Sequence, residues 1–127
     1  MSKRILVIDD DEAIRKSFSL ALEDTECRVD TAESGEQGIE MEQKERYDLI
    51  YLDLKMPGLN GVDTLRELRR IDNDVPVYIV TAFHKEFFEL LNCAVKDGVE
   101  FEVLQKPIGG DQIIHVTRGI LEGATEI

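Results

Sequence analysis

Three short apolar runs in this chain each end on residues that can do chemistry. Ile5-Leu6-Val7-Ile8 runs into Asp9-Asp10-Asp11-Glu12, Leu49-Ile50-Tyr51-Leu52 into Asp53, and Val77-Tyr78-Ile79-Val80 into Thr81. A weaker stretch, Phe101-Glu102-Val103-Leu104, is followed closely by Lys106-Pro107. If these runs are neighbouring parallel strands, carboxylates, a hydroxyl and an ammonium arrive together at one edge of one sheet. Two unit charges about 4–5 Å apart repel by roughly 3–4 kcal/mol at an effective dielectric of about 20. Three carboxylates gathered there demand a cation or raised pKa values. A hard divalent ion answers the demand, since Mg²⁺ takes one or two carboxylates plus waters and a phosphate oxygen. Asp9, Asp10 and Asp53 would then be balanced by the ion together with Lys106. A cation, a lysine and a hydroxyl around one carboxylate make a site that stabilises a phosphoryl group.

The elements that must position these groups are legible. Runs of four branched or aromatic residues followed by polar ones read as strands buried on both faces. Arg28–Ala32 and Phe101–Leu104 alternate instead, as strands at a sheet edge do. Helical spacing fills the gaps. Residues 13–23 carry Ile14, Phe18, Ala21 and Leu22, with Asp11 and Glu12 as cap and first-turn acids. Another helix starts at Ser34, with Gln37 three places on as a capping box. Gly61–Arg70 carries Val62, Leu65 and Leu68, and Lys85–Lys96 carries Phe87, Leu90, Leu91 and Ala94. Asp111–Leu121 uses Ile113, Ile114, Thr117 and Leu121, with Asp111 as its cap. Strict strand–helix alternation means a parallel sheet covered by helices on both sides. With the first, third and fourth strands central and the second and fifth at the edges, the order is 2-1-3-4-5. That is an α/β, flavodoxin-like doubly wound (βα)5 sandwich, whose ligands bind beyond the carboxyl ends of the strands at the switch point.

Composition bounds the partners. The 127 residues hold 15 Lys+Arg against 27 Asp+Glu, a formal net charge of −12. That argues against a nucleic-acid footprint and against an anionic membrane surface. No apolar run reaches membrane-spanning length, and the start of the chain has no signal-peptide core. Cys27 and Cys93 form no CxxC pair and read as buried free thiols of a reducing compartment, with a single disulfide between them as the alternative. The expectation is one cytoplasmic domain over 1–127, with its core at about 3–121. His84 and His115 read as surface residues, and Gly35, Gly38 and Gly109-Gly110 as helix and turn punctuation.

Ile5–Asp10 followed by Arg15, Asp48–Asp53 running into Met56-Pro57-Gly58 and Asn60-Gly61, Thr81-Ala82, and Lys106-Pro107 together resemble the receiver domain of two-component response regulators, of the chemotaxis-regulator-like kind. The resemblance runs from Lys3 to about Leu121. It implies that Asp53 is the phosphoacceptor, attacking the phosphohistidine of a sensor histidine kinase or phosphotransfer protein. It implies Mg²⁺ ligated by Asp10 and Asp53, with Asp9 orienting a metal-bound water and the backbone carbonyl of Lys55 completing the shell. The Thr81 hydroxyl and the Lys106 ammonium would hold phosphoryl oxygens, and Lys106-Pro107 would carry a cis peptide. Lys55 and Phe83, each two places after a site residue, would line the mouth and tune phosphoryl lifetime, Phe83 either crowding the attacking water or packing on the fourth helix. Phosphorylation would draw Thr81 inward and reshape the face made by the fourth helix, fifth strand and fifth helix.

The chain departs from the pattern at Val103, where an aromatic usually stands three places before the lysine. Phe101 is the nearest aromatic and shares its strand parity. The segment from Gly98 to Lys106 is one residue longer than usual, so Thr81, Phe101 and Val103 are the expected switch residues. The fourth helix also carries Phe88 and Val95 off its main apolar face; a wider buried stripe is the expectation, a partner surface the alternative. The expected role is a phosphorylation-dependent signalling switch rather than an enzyme, acting on an unknown effector and open to phosphorylation-dependent dimerisation. Whether it acts alone or within a longer regulator stays open. Competing readings are an unphosphorylated binding module, which the intact set Asp9, Asp10, Asp53, Thr81 and Lys106 disfavours, and an aspartyl-phosphate phosphatase. The latter needs a second Asp where Lys55 stands. Flavin binding is disfavoured because acids after the first strand repel a phosphate.

Overall fold

Strands of consecutive apolar residues have no polar face, so they need helices on both sides. The computed structural model, which describes residues 3–82 and 84–121, meets that need. Its elements alternate: β1 (Arg4–Ile8), α1 (Glu12–Leu22), β2 (Arg28–Ala32), α2 (Gly35–Lys44), β3 (Leu49–Leu52), α3 (Gly61–Ile71), β4 (Val77–Thr81), α4 (Phe88–Lys96), β5 (Glu102–Gln105) and α5 (Gly110–Leu121). All pairings are parallel and the sheet order is β2-β1-β3-β4-β5, the doubly wound order expected. Successive side chains of each strand go to opposite faces. Leu6, Ile8, Ile50, Leu52, Val77 and Ile79 pack with α2, α3 and α4. Ile5, Val7, Leu49, Tyr51 and Val80 pack with Phe18 and Leu22 of α1 and Ile113 of α5. The Phe18 and Tyr51 rings meet at 4.8 Å between centroids.

Capping follows the expected chemistry at three helices. Asp11 caps α1 by accepting from the Ala13 amide at 2.9 Å, and Asn60 caps α3 by accepting from the Asp63 amide at 2.9 Å. Ser34 caps α2, but Gln37 reaches back to the amide of Glu33 rather than to that of the cap itself. At α5 the expectation fails. The helix begins at Gly110, and Asp111 sits inside its first turn, where a carboxylate faces the positive end of the dipole rather than capping it.

The fourth helix departs most. Its expected first turn is a separate 3-10 turn over His84–Phe87. Only Leu91 and Ala94 of α4 are buried, with Phe87 partly so. Leu90, placed in the apolar stripe by its spacing, is exposed, and Phe88 (60% exposed) and Val95 (59%) do not form a wider buried stripe. The reason lies next door. β5 is a short, largely exposed edge strand, so a helix over the sheet margin has little surface to bury against. Asp97, just past α4, pairs with Arg66 of α3 at 2.9 Å, which fixes one flank. Phe88 and Val95, seven residues apart and therefore aligned, lie on the flank away from Asp97.

The thiols are free as expected but not buried: Cys93 is exposed on the outer side of α4 and Cys27 is half-buried just ahead of edge strand β2. His115 is exposed; the side chain of His84 lies outside the described residues. Gly35 and Gly38 are contact residues rather than punctuation. A Cβ on Gly38 would lie 2.4 Å from Cδ1 of Ile8, so a side chain here would force Ile8 to shift under α2. Among the described residues no helix is long and apolar enough to cross a membrane.

Candidate phosphoacceptor site

The carboxyl ends of β1, β3 and β4 lie side by side, and the Lys106 side chain, from just after β5, reaches over to them. Asp9 follows β1, and its amide donates to the Ala32 carbonyl of β2 at 3.1 Å. Asp53 follows β3, tied to β1 by its amide bond to the Ile8 carbonyl at 2.9 Å. Thr81 closes β4 and is fully buried, and its carbonyl accepts from the Lys106 amide at 3.1 Å. That bond draws Lys106 alongside the neighbouring strand ends, and the Lys106–Pro107 peptide is cis, as expected.

Asp9, Asp10 and Asp53 each offer a carboxylate oxygen, and these three oxygens lie within 4.8 Å of one another. Asp9 and Asp53 are buried and Asp10 is exposed. The Lys106 ammonium lies 2.9 Å from Oδ2 of Asp9 and 3.7 Å from Oδ1 of Asp53. Burial first, and the Asp9 charge second, push the Asp53 carboxyl up to about 6, with Lys106 working against both. Burial likewise raises Asp9, opposed by its hydrogen bonds from Lys106 and the Asp11 amide. Burial would lower the Lys106 ammonium, but the bond to Asp9 and the charges of Asp53 and Asp9 hold it above its ordinary value. The pocket therefore holds negative charge in a poorly solvated place, and such a donor set suits a hard, oxygen-seeking divalent cation.

The loop after Asp53 is built for close approach. Gly58 takes φ +77°, a left-handed turn open to glycine. A Cβ on Gly61 would lie 2.3 Å from the Asp53 carbonyl oxygen, so the start of α3 can touch the end of β3 only through glycine. The Gly61 amide donates to the Leu54 carbonyl at 2.9 Å, and Glu36 of α2 accepts from the Leu59 amide at 3.2 Å. Lys55 sends its ammonium to within 3.6 Å of Glu86 in the 3-10 turn, across the mouth of the site.

The structure thus brings together Asp9, Asp10, Asp53 and Lys106, with buried Thr81 at the adjoining strand end. Phe83 lies outside the described residues. Of the switch residues, Phe101 packs against the core on the α3–α4 side of the sheet, while Val103, opposite Ile79 in register, is 38% exposed on that side. Two contributors had no assigned role in the sequence. Arg15 of α1 donates from Nη1 to the Asp9 carbonyl at 2.7 Å, and Glu36 steadies the loop after Asp53. The helical position of Arg15, one turn past the acids, was the available signal; nothing local marked Glu36.

Known proteins resemble this chain in sequence and in fold. The profile of the response regulator receiver domain matches residues 5–118. The transcriptional regulatory protein AfsQ1 of Streptomyces coelicolor is 34% identical over 117 residues, covering 92% of this chain and 50% of its own length. The response regulator MprA of Mycobacterium ulcerans is 40% identical over 82 residues, covering 65% of this chain and 35% of its own. The chain thus spans half or less of the length of these curated relatives. Among solved structures, a CheY-like receiver domain protein from Methanospirillum hungatei superposes with a TM-score of 0.84 over 100% of both chains at 24% identity, which speaks to fold alone. The receiver domain of a LuxO repressor protein from Vibrio parahaemolyticus gives a TM-score of 0.81 at 25% identity, over 96% of this chain and 92% of that one. With the profile spanning the sheet from β1 into α5 and the acidic pocket at the carboxyl edge, the chain belongs to the response regulator receiver domains of two-component signalling.

Proposed function

We propose that Asp53 accepts a phosphoryl group from the phosphohistidine of a sensor histidine kinase or phosphotransfer protein, and that the phosphorylated domain passes the signal through α4, β5 and α5. The observation that carries this reading is the meeting of Asp53 with two further acids and the Lys106 ammonium at one strand edge. A carboxylate oxygen of Asp53 attacks phosphorus, the P–N bond breaks, and its electron pair stays with the departing imidazole, leaving an acyl phosphate. Lys106, already 3.7 Å from Asp53, and the Thr81 hydroxyl hold the phosphoryl oxygens where charge builds. Asp9, Asp10, Asp53 and the Lys55 carbonyl are the residues to hold Mg²⁺, which supplies charge neutralisation to the transferring group. Lys55 and Phe83 tune how long the phosphoryl group survives.

The proposed output face is supported by the exposure of Phe88 and Val95 on α4 and of Val103 on β5. An effector, or a second copy of the chain, would dock there in the phosphorylated state. With no aromatic at 103, the Thr81 displacement would be transmitted by Val103 and by Phe101 behind it. The domain acts in the cytoplasm, where its kinase partner presents phosphohistidine, and it is a phosphoacceptor rather than a multiple-turnover enzyme.

Acetyl phosphate and Mg²⁺ test the chemistry. Wild-type protein is expected to form an acid-stable, base-labile adduct that Asp53→Asn abolishes. No adduct on wild type would leave an unphosphorylated binding module. An adduct that persists in Asp53→Asn would move the acceptor elsewhere, and rapid turnover of phosphomonoesters would make the domain an enzyme.

A further inference from the structure

The acids of the site are not held alike. Every polar atom of Asp9 is engaged: its amide with Ala32 at 3.1 Å, Oδ1 with the Asp11 amide at 2.9 Å, Oδ2 with Lys106 at 2.9 Å, and its carbonyl with Arg15 at 2.7 Å. Asp10 is exposed, so packing does not hold its side chain, and the peptide that precedes it sets where its Cβ stands. That peptide joins Asp9 to Asp10 and lies between the end of β1 at Ile8 and the start of α1 at Glu12, outside both elements. The side-chain bond that reaches it comes from Arg15, half-buried on the first turns of α1.

We propose that Arg15 is a positioning residue for the cation site: its bond to the Asp9 carbonyl fixes the Asp9–Asp10 peptide plane and so aims the Asp10 carboxylate towards Asp53. The proposal deepens the phosphoacceptor reading and rests on it. A charge-assisted bond to a carbonyl is among the stronger hydrogen bonds, and here it anchors a turn to a helix that the core already holds through Phe18 and Leu22. A residue acting by charge alone would do the opposite. A guanidinium beside a cation site repels the cation, so removing it would tighten Mg²⁺ binding. Positioning and charge therefore predict opposite signs for the same substitution.

The test is Mg²⁺ affinity, measured by titrating the full chain and following the backbone amide resonances of Asp10 and Asp53, with thermal melting in EDTA alongside. Arg15→Met is expected to bind Mg²⁺ about tenfold more weakly, equivalent to about 1.4 kcal/mol, while its metal-free melting temperature stays within a few degrees of wild type. Arg15→Lys keeps the charge and one donor, and is expected to lose less. Equal or tighter binding by Arg15→Met overturns the proposal, as does a greater loss in Arg15→Lys than in Arg15→Met. The two readings fail separately. Wild-type protein that binds no Mg²⁺ overturns the phosphoacceptor site and this proposal with it, whereas a wild type that binds Mg²⁺ and forms the Asp53 adduct, with Arg15→Met binding as tightly, overturns only the role of Arg15.

Discussion

The sheet buries a carboxylate at each of its two edges, and the two are treated in opposite ways. At the carboxyl edge, Asp9 is 3% exposed and all its polar atoms have partners from β2, α1, its own turn and the segment after β5. At the other edge Glu42, on α2, is 0% exposed and neither of its side-chain oxygens makes a well-formed hydrogen bond, the Tyr47 backbone amide offering only a partial one. Around it stand Arg4 of β1, which spends its guanidinium on Glu45 and Asp30 and stacks over the Tyr47 ring, Arg46 just past α2, and Asp72 at the end of α3. Buried charge is tolerable where it is bonded and paired, and otherwise the group takes up a proton. The site edge sets a lysine against its raised acids, a donor set that suits a cation; the far edge favours a neutral acid. Burial, then the Asp72 charge, push the Glu42 carboxyl up from 4.5 to about 7, with the Tyr47 backbone amide, then Arg46 and Arg4, working against them.

The sharpest way to break this contrast is to titrate it. The folded chain binds the Glu42 proton more tightly than the unfolded chain, so stability is full below the ordinary value of 4.5 and falls as pH rises to about 7. The loss across that window is about 3 kcal/mol at most and levels off above it. Glu42→Gln removes this component. The variant is expected to be more stable than wild type at pH 8, with the difference shrinking below pH 5. Melting curves of both proteins from pH 4 to 8 check this, and parallel curves would mean that Glu42 stays ionised in the fold.

A smaller effect is expected where a buried polar pair is satisfied without charge. The Tyr51 and Thr117 hydroxyls share a bond of 2.6 Å beneath α5. Tyr51→Phe leaves the Thr117 hydroxyl buried without its partner and should cost about 1–2 kcal/mol. The double change Tyr51→Phe with Thr117→Val should recover most of that loss, because two apolar groups of similar shape leave nothing unsatisfied. Denaturant unfolding of the single and double variants measures the coupling; equal losses in both would say that packing, not the bond, is at stake.

The smallest effect belongs to a carboxylate that water already solvates. Glu12 pairs with Lys16 at 3.4 Å, one turn apart and both largely exposed. Glu12→Gln should move stability by less than about 0.5 kcal/mol, and less again in high salt. A larger loss, seen by the same denaturant unfolding, would mean that exposure is a poorer guide to the cost of a charge than the two sheet edges suggest.

Much of this molecule is local and could be read locally. Ile5–Ile8, Leu49–Leu52 and Val77–Thr81 form the central strands because four or five apolar residues in a row can be stable only between two helical layers. Their polar followers had to emerge at one edge, since parallel strands all end on the same side. Ser34 and Asp11 cap as their types require. The misreadings have separate causes. Leu90, Phe88 and Val95 have helical spacing that reads as a stripe, but spacing says which residues share a side and not how much surface stands opposite. Asp111 has the type of a cap, yet the turn that starts α5 begins one residue earlier, at Gly110. Gly38 looked like punctuation because the branched side chain it accommodates, Ile8, lies thirty positions away in the sequence.

The sequence by itself determined the alternation of strands and helices, the central and edge positions of the strands, and the delivery of Asp9, Asp10, Asp53, Thr81 and Lys106 to one edge. These follow from periodicity and residue type, which act over a few neighbours. Only the tertiary structure decided that Lys106 reaches Asp9 across 97 positions of chain, that Arg15 holds the Asp9 carbonyl, and that Glu42 is sealed in without a well-formed hydrogen bond. Distances of that kind depend on strand order, register and the pitch of each helix on the sheet. The cost of a buried charge is likewise a sum over every group around it, and that sum exists only once the chain has folded.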